Sequence, residues 1–184
     1  MALSNYGELK AAVASLLNRS DLTAAIPDFI AMCEASINRN TKARNRRMET
    51  TTTLSLASGG RTVTLPSDFI ESRAATLQSS PRVVLGYLTP EALESTYADE
   101  SSGIPEKFTI YGDTLKVGPK ANGAFDVDLI YYQRITALSA DADTNWLLTY
   151  YPDVYLYGSA VHSAPYLMED PRLQTWLGLY DRSL

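Results

Sequence analysis

The chain has 184 residues, of which 45 % are hydrophobic and 20 % charged, and its formal net charge is −5. These values exclude a wholly disordered chain and argue against a general nucleic-acid binder, which is usually basic. One cysteine, Cys33, excludes an intrachain disulfide and favours a reducing compartment. The N-terminus lacks a basic start and an apolar core, and no run reaches the roughly 18 apolar residues of a membrane span. We therefore expect no signal peptide, no membrane contact and synthesis in a cytoplasm.

The N-terminal quarter predicts two helices. Apolar residues recur at helical spacing between 5 and 18, and Ser4 or Asn5 can cap the first amide groups. A second helix is predicted to begin at Pro27, because proline is preorganised for the first helical position. We expect it to run into the basic stretch that ends near Arg47.

The middle of the chain changes to an alternation with period two, which is typical of strands. Residues 50–56 and 61–65 predict a hairpin with its turn at Gly59-Gly60, and Gly112-Asp113 predicts a second hairpin. Further strand candidates are 70–78, 82–88 and 124–133. Thr89 and Pro90 predict the start of a short helix.

Helical spacing returns at Asp153 and continues towards the C-terminus, with a break or bend at Pro165. The predicted apolar face of the first of these helices contains Val154, Tyr157, Val161 and Ala164. Asp170 and Pro171 predict the start of a last helix. Its apolar stripe is Leu173, Trp176, Leu177 and Tyr180. We expect this segment to anchor the subunit, either on its own N-terminal helices or on another protein.

These elements predict an α+β fold, in which N- and C-terminal helices form a platform and a β-rich antiparallel insertion lies in the middle. We expect a single domain over 1–184, helical at 1–49 and 145–184, with the insertion at 50–136.

Residues that could carry chemistry form no recognisable site. Cys33 and the single histidine, His162, lack a third orienting group, so a packed cysteine and a surface histidine are expected. Residues 141–145 begin like a calcium loop but lack its glycine and its final glutamate, which indicates a polar turn. Glu91 and Glu94 favour a solvated helix surface over acid–base work. We predict no catalytic residue, no cofactor and no metal.

Charge placement is the outstanding feature. Five cations lie within nine residues that contain no acid: Arg39, Lys42, Arg44, Arg46 and Arg47. The remaining chain has 11 basic and 21 acidic residues, a balance of −10. The segment could be a solvated helix end favoured by the helix dipole, or a patch that faces nucleic acid or an acidic protein surface.

Four stretches, taken in order, resemble the head-to-tail adaptor family of short-tailed and related phages, the group that includes the tail tubular protein A type. They span almost the whole chain. The stretches are the helix 6–17 with 22–30 and 37–39; 64–71; 112–119 with 129–132; and 145–148 with 152–158 and 176–180.

The resemblance implies a structural virion protein of the neck, made in the host bacterial cytoplasm, and not an enzyme. It implies a homo-oligomeric ring, commonly of twelve subunits, that docks the portal protein and a tail nozzle or tail tube protein. Genomic DNA would pass through the lumen without specific binding. We expect the five cations and the C-terminal stripe to serve these assembly interfaces.

Two alternatives come from other classes of protein. A DNA-binding or packaging accessory protein would use residues 39–47 to contact phosphates. A small hydrolase would use His162 with a partner that the sequence does not reveal.

Overall fold

The computed structural model describes residues 3–19, 21–99, 101–167 and 170–184. Within them the chain has six α-helices and ten strands. The helices are α1 (Tyr6–Leu17), α2 (Ile26–Arg39), α3 (Pro90–Thr96), α4 (Trp146–Tyr150), α5 (Pro152–His162) and α6 (Arg172–Ser183). The strands are β1 (Glu49–Leu56), β2 (Thr62–Thr64), β3 (Phe69–Leu77), β4 (Val83–Val84), β5 (Gly86–Tyr87), β6 (Ser102–Gly103), β7 (Lys107–Tyr111), β8 (Thr114–Gly118), β9 (Lys120–Ala121) and β10 (Phe125–Gln133). This confirms the predicted α+β fold with a β-rich middle.

The chain forms two compact units. The helical unit contains Met1–Asn45 and Ile135–Leu184, and the β unit contains Arg46–Arg134. That the whole chain acts as one adaptor domain stays a prediction.

Side-chain caps define the first helix. The Asn5 side chain accepts a hydrogen bond from the backbone N–H of Glu8 at 2.9 Å, while Glu8 accepts bonds from the Ser4 N–H and hydroxyl. This reciprocal arrangement satisfies amide groups that the helix itself cannot pair. At the other end Asn18 adopts a left-handed conformation with φ 52° and closes the helix.

The second helix runs into the basic stretch and ends at its first cation, Arg39. It stops there because Asn40 takes an extended conformation and its side chain accepts the N–H of Lys42 at 2.9 Å. This bond opens a short 3-10 turn, Thr41–Ala43, and a second 3-10 turn follows at Arg46–Met48. The basic segment therefore runs through turns.

The buried face of α5 also differs from the prediction. Val154 is buried as expected, but Tyr157 and Val161 are only half-buried, and Ala164 lies in a 3-10 turn after the helix has ended. Besides Val154, the buried residues of α5 are Tyr155, Gly158, Ser159 and Ala160. Because α5 contacts α1, α2, α4 and α6, its buried surface is too wide for a single stripe.

The β unit contains two four-stranded sheets and a short two-stranded one. Sheet A has the order β1-β10-β3-β4, sheet B the order β2-β8-β7-β5, and sheet C pairs β6 with β9. The hairpin at Gly112-Asp113 is confirmed, since β7 and β8 pair antiparallel from Tyr111 and Thr114 outwards. The β5–β7 and β6–β9 pairs are parallel, so the unit is mixed.

The predicted hairpin of residues 50–56 and 61–65 is wrong. The first of these strands, β1, pairs over its full length with β10, and β2 pairs with β8 in the other sheet. The chain therefore turns at 57–60 from one sheet to the next. Apolar side chains from the two sheets form one core, which includes Leu56, Leu77, Leu115, Val117 and Leu129.

Candidate functional site: the assembly surfaces

Cys33 and His162 do not form a reactive pair. The Cys33 thiol is fully buried and donates to the backbone carbonyl of Val154 at 3.7 Å. Burial raises the pKa of Cys33 to about 12, so the sulfur stays a thiol and not a nucleophilic thiolate. Burial and the nearby charge of Arg39 lower the pKa of the half-buried His162, which is therefore neutral at pH 7.

The acidic residues that suggested other chemistry are engaged in local structure. Asp143 accepts the N–H groups of Ser139 and Ala140 at 2.9 and 2.7 Å, and these bonds lower the pKa of Asp143. Glu94 forms ion pairs with Lys116 and, at 3.8 Å, with Arg61. Among the described residues, no group of three histidine, cysteine, aspartate or glutamate side chains could hold a metal ion.

Asn145 organises the return of the chain to the helices. Its side-chain oxygen caps α4 by accepting the N–H of Leu148 at 2.9 Å. Its amide nitrogen donates to the carbonyl of Thr136 at 2.8 Å and to the hydroxyl of Tyr155 at 2.7 Å. The predicted polar turn is thus a structural cap with buried partners.

A buried carboxylate lies beside this cap. Glu34 of α2 is 7 % exposed and accepts the hydroxyl of Tyr155 at 2.8 Å and the N–H of Leu138 at 3.2 Å. One turn later, Asn38 accepts the N–H of Ile135 at 3.0 Å. Burial raises the pKa of Glu34, and the two bonds it accepts oppose that effect. These contacts fix the segment that follows the β unit onto α2.

The basic segment is divided between the two units. Arg39 and Lys42 are exposed at the end of the helical unit, while Arg44 is half-buried and donates to the carbonyl of Asn38 at 3.0 Å. Arg46 and Arg47 are exposed at the start of the β unit. Four of the five predicted interface cations therefore have exposed side chains.

The C-terminal stripe separates into an inner and an outer part. Trp176 is 4 % exposed and Tyr180 7 %, so both are buried within the helical unit, and their role at an assembly interface stays a prediction. Leu173 is half-buried, and Leu177, at 39 % exposure, can contact a partner.

Arg172 fastens this helix to the rest of its unit. Its guanidinium lies over the ring of Trp176 at 4.9 Å and pairs with Asp170 at 2.6 Å. It also donates to the carbonyls of Leu16 and Leu17 at 3.3 Å. The C-terminal segment was predicted to anchor either on the chain's own N-terminal helices or on another protein. In the structure it contacts the chain's own N-terminal helix α1.

Sheet A has a groove along one edge. Strand β4 pairs with β3 only at Thr76 and Leu77, so residues 69–74 of β3 have no strand neighbour on that side among the described residues. These six residues form one wall of a groove of about 600 Å³, here called the edge groove. The opposite wall contains Val84, Leu85, Tyr87, Phe108 and Ile110. Val84 and Tyr87 are 73 % and 58 % exposed.

The other edge of the same sheet is β1. Within the described residues it pairs with β10 alone, and its outer side carries no strand. Thr51 and Thr53 point to solvent, and Thr50 and Thr52 are half-buried.

Comparison with known families decides the class of protein. The model of the SU10 adaptor protein family matches residues 4–184. The chain belongs to this phage head-to-tail adaptor family. A comparison with curated proteins found no match.

Family membership makes the adaptor a structural protein of the phage neck, of a kind that docks portal and tail proteins. Adaptors of this kind are structural and not enzymatic. No helix in the described ranges is both long enough and apolar enough to cross a bilayer.

Sequence patterns did not reveal the adaptor's edge groove or its buried Glu34. The groove depends on how strands are placed in space, because its walls combine residues 69–74 of β3 with Phe108 and Ile110 of β7, which are distant in the chain. Glu34 stands between Cys33 and Ala35 in a helix with ordinary amphipathic spacing, and the only hint was an acid next to an apolar stripe.

Proposed function

We propose that the chain forms a homo-oligomeric ring, of twelve copies by resemblance to its family, that joins the portal to the tail and continues the DNA channel. The observation that carries this proposal is the family match over residues 4–184. The exposed cations and the open sheet edges support it, because a ring subunit needs contact surfaces on opposite sides.

The charge distribution suits a channel through which DNA must slide. Outside the basic segment the chain carries a balance of −10, which would repel phosphates in a lumen. Cations facing the DNA would instead hold it, because each neutralised phosphate adds affinity. We therefore assign the basic segment to protein contacts, with an acidic surface of a neighbour or of the portal as its partner.

Imaging tests the assembly directly. The full chain, alone and mixed with its portal, is examined by mass photometry and negative-stain microscopy. We expect closed rings of the chain bound to the tail-facing end of the portal. Monomers that neither self-associate nor bind the portal would refute the proposal.

Salt and charge reversal test the role of the cations. Exposed ion pairs contribute only about 0–1 kcal/mol each, but a ring repeats each pair at every interface. Assembly should weaken as salt rises, because charges separated by more than about 8–10 Å are screened at physiological ionic strength. The double change Arg46→Glu and Arg47→Glu should block ring formation or portal docking without unfolding the chain.

The matched control reverses two other exposed cations of the β unit, Arg82→Glu and Arg134→Glu. It changes the net charge equally and should leave assembly intact. A DNA mobility-shift assay completes the test. Tight DNA binding that is lost on reversal of Arg46 and Arg47, with assembly unaffected, would establish the accessory DNA-binding function instead.

The absence of enzymatic activity is tested at the two residues that could suggest it. We expect that His162→Ala and Cys33→Ser abolish no chemical activity. A turnover by the purified chain that either change removes would contradict this expectation.

A further inference from the structure

We propose that neighbouring copies in the ring join edge to edge, with β1 of one copy pairing with residues 69–74 of β3 in the next. This inference rests on the proposed ring and names its contact. Both segments belong to sheet A, and each is an edge of that sheet without a strand neighbour among the described residues. An open edge presents unpaired N–H and C=O groups that a further strand can satisfy.

The two edges match in length. The open part of β3 has six residues, which is about 20 Å of strand. Strand β1 has eight residues, and its C-terminal end lies near β2. The N-terminal part of β1 therefore stays open over a length similar to the open part of β3.

The edge groove provides space for the side chains of an incoming strand. Six consecutive residues of β3 form one wall of the groove, and Val84 and Tyr87 on the opposite wall are 73 % and 58 % exposed. An added β1 would direct alternate side chains, Thr50 and Thr52, towards this wall. The added strand would cover Val84 and Tyr87 and remove their apolar surface from water, which favours association.

One of the two edges, β1, lacks the protection that folded monomers commonly use. Natural edge strands are blunted by lysine, proline or inward-pointing charges. Strand β1 contains no lysine and no proline, and its only charge is Glu49 at the first position. The open part of β3 has two exposed charged residues, Glu71 and Arg73. Arg73 is held on its own copy, where it pairs with Glu49 at 3.3 Å and lies over the ring of Tyr132.

Strand direction makes a β1–β3 contact compatible with a ring. Strands β1 and β3 are both antiparallel to β10, so they run parallel to each other. A rotation from one copy to the next keeps β1 in nearly the same direction and makes the new pair parallel. This contact joins different surfaces of the two copies and can close into a ring. Pairing of β1 with β1 across a two-fold axis would instead stop at a dimer.

Disulfide trapping in the full chain tests the pairing. Thr51→Cys is combined in turn with Glu71→Cys, Ser72→Cys and Ala74→Cys, which sample different registers of the open part of β3. Cys33 is fully buried and does not compete. Under mild oxidation we expect at least one double variant to form a ladder that extends beyond dimers, while each single variant stays within dimers.

Proline at two adjacent positions supplies a matched pair of variants. Neighbouring N–H groups in a strand point to opposite sides, so of Thr51→Pro and Thr52→Pro only one removes a bond to β10. The other removes an N–H from the open edge alone. We expect that variant to keep the wild-type melting temperature within a few degrees and to lose ring assembly.

The outcomes separate this inference from the proposed function. Rings that form without any β1–β3 disulfide, or that persist in the stable proline variant, overturn the inference and leave the ring function standing. Dimers that Thr51→Cys forms alone, as efficiently as the double variants, also overturn it. If neither rings nor trapped ladders form, with or without portal, both the inference and the ring function fail.

Discussion

The two units of this adaptor complete their hydrogen bonding in different ways. In the helical unit, buried polar side chains such as Glu34, Asn145 and Tyr155 bond to each other and to the backbone. In the β unit, one core is formed by two sheets, but sheet A keeps two strand edges without a strand neighbour in the described part of the chain. These three side chains of the helical unit find their partners within the chain, whereas the open strand edges of the β unit have bonding capacity to offer a partner.

This difference suggests a division of labour. A platform that must keep its shape under load benefits from contacts that are complete within one chain. In the proposed ring, a surface that joins identical copies benefits from groups that only a neighbour can satisfy. Core substitutions should therefore act on stability in the helical unit, and edge substitutions should act on assembly in the β unit.

The largest expected effect is the removal of a buried aromatic side chain. Trp176→Ala should lower the free energy of unfolding by about 3–5 kcal/mol, because it deletes an indole that is 4 % exposed and the ring beneath Arg172. Urea denaturation measures the change. Leu177→Ala, one residue later and 39 % exposed, is the control and should cost less than about 1 kcal/mol. Equal losses would contradict the inward orientation of this helix.

The next effect tests how closely α5 packs. A methyl group at Gly158 would collide with the Cys33 sulfur and would lie 2.8 Å from a ring carbon of Tyr180. Gly158→Ala should therefore destabilise the chain by about 1–3 kcal/mol despite the better helix propensity of alanine.

Gly178 in α6 provides the matched control, because a methyl group there meets nothing within 4 Å. Gly178→Ala should stabilise the helix by up to about 1 kcal/mol. Thermal melts of the two variants should shift in opposite directions. A shift of Gly158→Ala to higher temperature would show that the core has room at this position.

The elements that local chemistry specifies were predictable from sequence. Asn5, Thr89 and Asn145 cap helices where their side chains can reach the first amides, and Gly112-Asp113 turns a hairpin. Proline at 27, 90 and 152 lies in the first turn of a helix, where its fixed φ is accommodated.

Features that depend on distant contacts were not predictable. The preference of 50–56 and 61–65 for a hairpin is local, but β1 gains a longer ladder by pairing with β10. The buried face of α5 is set by four neighbouring helices. Two of the predicted interface residues, Trp176 and Tyr180, lie inside the helical unit. The sequence could not reveal this, because an apolar stripe alone does not distinguish an internal contact from an external one.

The smallest expected effect concerns the pH dependence of the buried polar cluster. Burial raises the pKa of Glu34 above the value of an exposed glutamate. As pH rises, the carboxyl group of the unfolded chain loses its proton first, while the folded chain still holds it. The contribution of Glu34 to stability is therefore full below the unfolded pKa and is lost as pH rises through the folded pKa. Glu34→Gln has no proton to lose and should not show this decline.

Denaturation between about pH 4 and pH 8 measures the free energy of unfolding of the wild-type chain and of Glu34→Gln. We expect the stability of Glu34→Gln relative to the wild-type chain to increase as pH rises. The control is Glu94→Gln on the surface of the β unit. The pKa of Glu94 is lowered by its hydrogen bond to Lys116, so its contribution has the opposite sign and is lost as pH falls. Parallel pH profiles for the wild-type chain and Glu34→Gln would mean that solvent reaches this carboxylate. The buried polar cluster that distinguishes the helical unit from the β unit would then be open to water where the chain returns to the helices.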